Sequence, residues 1–187
     1  MKDISNKTLA ELVLLAIVVS LASTVITVGK LSTSTGNAVG QARVNVTSVV
    51  AISLPVNTAD FGTLFQGATD DTTDGSPVPL FIQNDGGVNA NISASGTTLF
   101  SGSTGGDDTT SFRYKARENP LETGSFNNVT SVMSFINVTT ASHSGFINVL
   151  KWQDATDSAL IDLAIQIPTD ESAGQKSATL TFTAVQA

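Results

Sequence analysis

From Leu12 to Val28 the chain reads LVLLAIVVSLASTVITV, an uncharged and almost wholly apolar run. Extended back to Leu9 it holds about 20 residues, which as an α-helix would cover about 30 Å, the thickness of a bilayer's hydrocarbon core. The pattern predicts a single hydrophobic helix within residues 1–31 that acts as an assembly core, a membrane anchor or a signal. Three readings stand side by side: an uncleaved spanning helix, a secretory signal cut at the small-x-small sequence Ser20-Leu21-Ala22, and a helix buried in a core. Length favours the first. Small and hydroxyl residues (Ser20, Ala22, Ser23, Thr24, Thr27) gather in the second half, where they would let copies of the helix approach closely.

A Ser/Thr/Gly connector follows at residues 32–41, and beyond it the period changes. Residues 42–187 show no helical period. Arg43 to Leu54 begins with apolar residues at every second place, as a half-buried strand requires, and Pro55 is expected to close it. Further strands are predicted at Val78–Gln83, Val88–Ser95, Ser111–Ala116, Val129–Val138 and Phe146–Trp152, each bounded by Gly, Asn, Asp or Pro. The two clearest come last. In Ala159–Ile167, Ile161, Leu163, Ile165 and Ile167 form one aliphatic face, with Asp162 and Gln166 expected to point away. In Ser177–Val185, Ala178, Leu180, Phe182 and Ala184 alternate with threonines. The fold class expected is mainly β: an N-terminal hydrophobic helix followed by a single antiparallel β-sandwich, immunoglobulin-like or jelly-roll.

Composition narrows the chemistry. With 9 Lys+Arg against 16 Asp+Glu the net charge is −7, so the surface repels phosphate backbones and a nucleic-acid partner is not expected. The chain has no cysteine and one histidine, His143. Disulfides, thiolate metal sites and Cys nucleophiles are excluded, and His143 reads as an exposed loop residue. Glu118, Glu122 and Glu171 read as polar-loop carboxylates without the apolar surroundings that would make a catalytic acid. The chain is not expected to be an enzyme. Trp152 closes an apolar run and reads as core or interface. Phe61 and Phe81 read as core. Arg113, Lys115 and Arg117 share one strand face, a solvated sheet face or a contact for the acidic surface of a neighbouring copy.

The sequence DDTTDG places Asp70, Thr72, Asp74 and Gly75 at the alternate positions of a calcium loop, with Asp71 between them. The bidentate Glu expected twelve residues into such a loop is replaced by Phe81. A solvated turn is the favoured reading; calcium is the one cofactor left open, and no other metal or cofactor is expected. Four N-x-Ser/Thr triplets, at Asn45, Asn91, Asn128 and Asn137, all follow the helix. They predict N-glycosylation and an extracellular or cell-surface location for the C-terminal part.

Lys7-Thr8-Leu9-Ala10-Glu11-Leu12 and the apolar run behind it resemble the start of a mature type IV pilin. The chain departs from the bacterial motif at Asn6, where pilins carry Gly, and at Lys7, where an apolar residue is usual. Archaeal pilins and archaellins are similar to it in general plan: a lone hydrophobic helix leading into an all-β head without cysteines. The resemblance implies that Glu11 neutralises the terminal amine of a neighbouring subunit. It also implies that Leu12, Leu15, Val18, Val19, Leu21 and Val25 pack in a helical polymer of identical subunits, inserted in the membrane before assembly. The function it implies is a structural filament subunit serving adhesion or cell-surface contact. Asp60-Phe61-Gly62-Thr63-Leu64 and the corner Gln83-Asn84-Asp85-Gly86 are loosely similar to filament sandwiches that assemble by strand exchange. A donor-strand subunit freed by signal cleavage, and a membrane-tethered or secreted module binding carbohydrate or another cell, are the alternatives.

Overall fold

The computed structural model describes residues 6–31, 43–45, 47–101 and 110–187. The chain divides into two compact units, Met1–Asn45 and Val46–Ala187. The first contains α1, Asn6–Leu31, a proline-free run in which Leu and Ala favour the helix and the many Val, Ile and Thr residues are weaker formers. The second contains β1 (Ser53–Val56), β2 (Thr69–Asp71), β3 (Leu80–Gln83), β4 (Ala90–Gly96), β5 (Phe112–Glu118), β6 (Ile136–Asn137), β7 (His143–Leu150), β8 (Ser158–Gln166) and β9 (Leu180–Gln186). The protein is mainly β, with one N-terminal helix and two antiparallel sheets.

The larger sheet runs β1-β3-β8-β5-β6, and β2 also pairs with β8. Strand β8 is its centre, with Leu80 opposite Ile161 on one side and Tyr114 opposite Leu163 on the other. The smaller sheet runs β7-β4-β9. Period-two burial is clean in β4, where Ala90, Ile92 and Ala94 are buried, and in β5, where Phe112, Tyr114 and Ala116 are. One hydrophobic cluster draws on both sheets, joining Ile82, Tyr114, Ile161 and Leu163 to Ile92, Phe146 and Ile147. Tyr114 stacks on Phe146 with ring centroids 4.6 Å apart, and its hydroxyl donates to the Ala94 carbonyl at 3.3 Å. Burial pushes the Tyr114 hydroxyl above its ordinary pKa.

Several expectations need correction. The strand expected over Arg43–Leu54 forms only at its end. Strand β1 starts at Ser53 and runs through Pro55, which occupies the irregularity between the Ser53–Gln83 and Val56–Phe81 pairs. The described residues before it are held otherwise: the Val49 carbonyl accepts from Gly87 N–H at 2.8 Å, and a side chain at Gly86 would collide with that same carbonyl. The strand expected over Val129–Val138 shrinks to β6. Asn127 folds the preceding stretch into a turn, its side chain accepting from Val129 N–H and its carbonyl from Ser131 N–H. Strand β2, within the expected loop DDTTDG, was not foreseen. His143 opens β7 instead of lying in a loop, though it is exposed. Phe61 and Phe81 are half-buried, and Phe61 packs against the core cluster.

The largest correction concerns Asp162. It lies on the face opposite Ile161, Leu163 and Ile165, as expected, yet that face is covered and Asp162 is fully buried. The reason is its position on the middle strand, whose second face is covered by β5 side chains. Arg117 donates to both carboxylate oxygens, at 2.7 and 3.0 Å, Lys115 lies 3.7 Å away, and the Thr72 hydroxyl donates at 3.4 Å.

Candidate functional site

Helix α1 exposes large aliphatic side chains on every side. Leu9, Leu12, Val13, Leu14, Leu15, Ile17, Val18, Val19 and Leu21 are between 53% and 69% exposed. Soluble surfaces scatter such residues singly, so a contiguous set of this size marks a surface made to be covered. Of the residues that sequence assigned to assembly, Leu12, Leu15, Val18, Val19 and Leu21 belong to this set; the Val25 side chain lies outside the described residues. Glu11 is also exposed. With the helix beginning at Asn6, Glu11 lies beyond its first turn, where the helix dipole fades, so the carboxylate needs a neighbouring cation more than the helix end. Lys7 stands four residues earlier on the same face. Side chains are described over residues 6–22, about 26 Å of helix at about 1.5 Å per residue. Among the described residues no helix is long and apolar enough to cross a membrane.

The cations on β5 are not a free face. Arg117 and Lys115 engage Asp162, and Lys115 and Arg113 lie over the Phe135 ring at 4.6 and 5.7 Å. The hydrogen bond and charge of Asp162 hold the Arg117 guanidinium above its ordinary value. An electrostatic contact with a neighbour through these three residues therefore loses its basis. Glu171 is no polar-loop carboxylate either. It is buried, accepts from Ser101 N–H at 2.8 Å and pairs with Lys176, so it clips two loops together. Trp152 is 46% exposed in the segment after β7.

The calcium candidates are occupied by their own backbone. Asp70 accepts from Asp71 N–H, Asp71 from the N–H and hydroxyl of Thr73, and Asp74 from Ser76 N–H, forming a capped 3-10 turn over Thr72–Asp74. The Thr73 hydrogen bonds hold the Asp71 carboxyl below its ordinary value. Among the described residues, no group of three or more acidic or histidine side chains is placed to hold a metal ion. The glycosylation candidates divide: Asn45 and Asn128 are exposed, whereas Asn91 and Asn137 are half-buried within strands.

Sequence reasoning missed one feature of the smaller sheet. Successive β4–β7 pairs, Ala90–Leu150, Ile92–Ile147 and Ala94–His143, show extra residues inserted twice into β7. At these bulges Gly145 has φ +71° and Val149 has φ +56°, a conformation that β-branched residues avoid. Val149 N–H donates to the Asn91 side chain at 2.9 Å, and Asn148 donates to the carbonyls of Thr130 and Gly145. An open, polar groove results, lined by Asn91, Ser93, Thr130, Ser131, His143 and Asn148 among others. Asn148, the one polar residue in the apolar run Phe146–Leu150, was the hint of it.

No family model matches the chain, and no curated protein is similar to it.

Proposed function

We propose that the chain is a structural subunit of an extracellular, pilus-like filament, in which helices of many copies bundle into a core and the β-rich units form an outer wall. The observation that carries this reading is α1, a helix whose aliphatic side chains are exposed all round within one chain. Covering them with copies of the same helix removes that apolar surface from water at about 25 cal/mol per Å². A helix bundle also gives Glu11 a cation from an adjacent subunit. The second unit suits an outer wall, because its core closes on residues of both sheets, and we read the pair of sheets as a β-sandwich. The reading extends to a cell-surface location and to N-glycans, with Asn45 and Asn128 as the accessible acceptors.

Electron microscopy of the full-length protein, with mass spectrometry of surface filaments from the native cell, tests the proposal. Helical polymers containing this chain are the expected result, and filaments lacking it would refute the reading. A second reading rests on the groove beside the β7 bulges, whose amide and hydroxyl lining suits a sugar. In that case the chain is a tethered or secreted binding module, monomeric under the microscope and retained on a glycan array.

A further inference from the structure

The outer edges of the two sheets are not treated alike, and that of β2 is only three residues long. Edge strands offer unpaired N–H and C=O groups to other chains, and proteins blunt them with proline, bulges or brevity. Strand β1 carries Pro55 at an irregularity, β6 has two residues, and β7 is bulged twice. Strand β9 has none of these devices. Its seven residues, LTFTAVQ, pair with β4 in unbroken register from Leu180–Gly96 to Gln186–Ala90, without proline, glycine or charge. Thr97 N–H donates to the Thr179 carbonyl and Ala187 N–H to the Asn89 carbonyl. Odd-numbered residues of β9 therefore turn their backbone groups toward β4, and Leu180, Phe182, Ala184 and Gln186 turn theirs outward. Among the described residues no strand pairs with that outer edge.

We infer that β9 is a homotypic docking edge, to which β9 of a second copy adds antiparallel across a two-fold axis at Thr183. This register pairs Leu180 with Gln186 and Phe182 with Ala184, so all four outward residues of each copy are bonded, and a shift by two residues in either direction leaves some unpaired. Charge does not oppose this occupant: although each copy carries −7, the seven-residue edge brings no charged side chain to the join. The outward face at the join, Thr181, Thr183 and Val185 of each copy, is also uncharged and exposed. This inference goes beyond the filament reading, because a two-fold contact closes on itself and joins copies in pairs instead of prolonging a polar stack.

The chain's lack of cysteine makes the test direct, since one introduced thiol reports alone. In the proposed register Thr183 faces Thr183 of the second copy as a non-hydrogen-bonded pair with Cα atoms about 4.5 Å apart, within the range a disulfide spans. Full-length Thr183→Cys, oxidised in detergent, should run as a covalent dimer on a non-reducing gel. Thr181→Cys and Val185→Cys should each stay monomeric alone and couple when mixed. All three side chains are exposed, so these variants should melt with the parent. Absence of the Thr183→Cys dimer, or equal dimer yield from all three single variants, overturns the pairing. Coupling of Thr183→Cys with Val44→Cys in preference to itself would assign the edge to the Arg43–Asn45 segment of another copy, and also overturns it. Filaments seen without the Thr183→Cys dimer would refute this contact and leave the filament reading standing.

Discussion

Asp162 and Asp157 show two opposite ways of burying a carboxylate. Asp162 is matched by a bidentate guanidinium, an ammonium and a hydroxyl. Removing its charge leaves Arg117 and Lys115 partly solvated, which moderates the loss. Asp162→Asn should destabilise the fold by about 2 kcal/mol, readable as a lower denaturation midpoint. Asp157 has the reverse problem. Its Oδ2 accepts from Gln83 at 3.3 Å, but its Oδ1 is buried without a hydrogen-bond partner. Burial, with Glu122 and Asp154 nearby, pushes its carboxyl above the ordinary range. A carboxyl raised in the folded state binds its proton more tightly there, so its contribution worsens as pH rises from the unfolded to the folded pKa and is neutral below both. Asp157→Asn should therefore raise stability by about 1 kcal/mol at neutral pH and leave it unchanged in acid, measured by denaturation at both pH values. The alternation in Ala159–Ile167 made Asp162's face legible. It could not show that this face was covered, because the covering residues, Lys115, Arg117 and Thr72, lie far away in sequence.

Strands reveal the same limit one level up. Period-two patterning located β8 and β9, and bounding Gly, Asn, Asp and Pro located β3, β4, β5 and β7, each of which turns side chains toward the shared core. Residues 43–52 carry a similar pattern, yet those of them that the structure describes gain no ladder, since alternation describes a backbone able to extend and says nothing about a partner beside it. Strand β2 escaped for the converse reason: its three residues TDD have no apolar face, and pairing with β8 alone defines them. The centre of the larger sheet is where the pattern was most informative. Leu163 is buried in the shared cluster opposite Tyr114, so Leu163→Asp would strand a charge among Ile161, Ile165 and Tyr114. A cost of about 3–5 kcal/mol is expected, enough to unfold a marginal domain, and a circular-dichroism melt indistinguishable from the parent would contradict the packing described.

At the scale of the whole molecule, the apolar run made the helix legible, because a helix needs no distant partner to be recognised. What covers its exposed aliphatic side chains is not encoded locally. Glu11 is the sharpest probe of it. In a bundle of helices its carboxylate meets a cation of an adjacent subunit, whereas on an isolated helix it has only water and Lys7 one turn earlier. Glu11→Gln should lower filament counts per cell several-fold while the protein level in the membrane fraction stays constant, and unchanged counts would remove Glu11 from the assembly residues. A different consequence follows from the order in which the sheet is built. Strand β8, to which β2, β3 and β5 all pair, follows all three in the chain, so until it is made its partners have no centre to join. The larger sheet can close only once residues 158–166 have joined the strands made before them, so folding of this unit waits on its central strand.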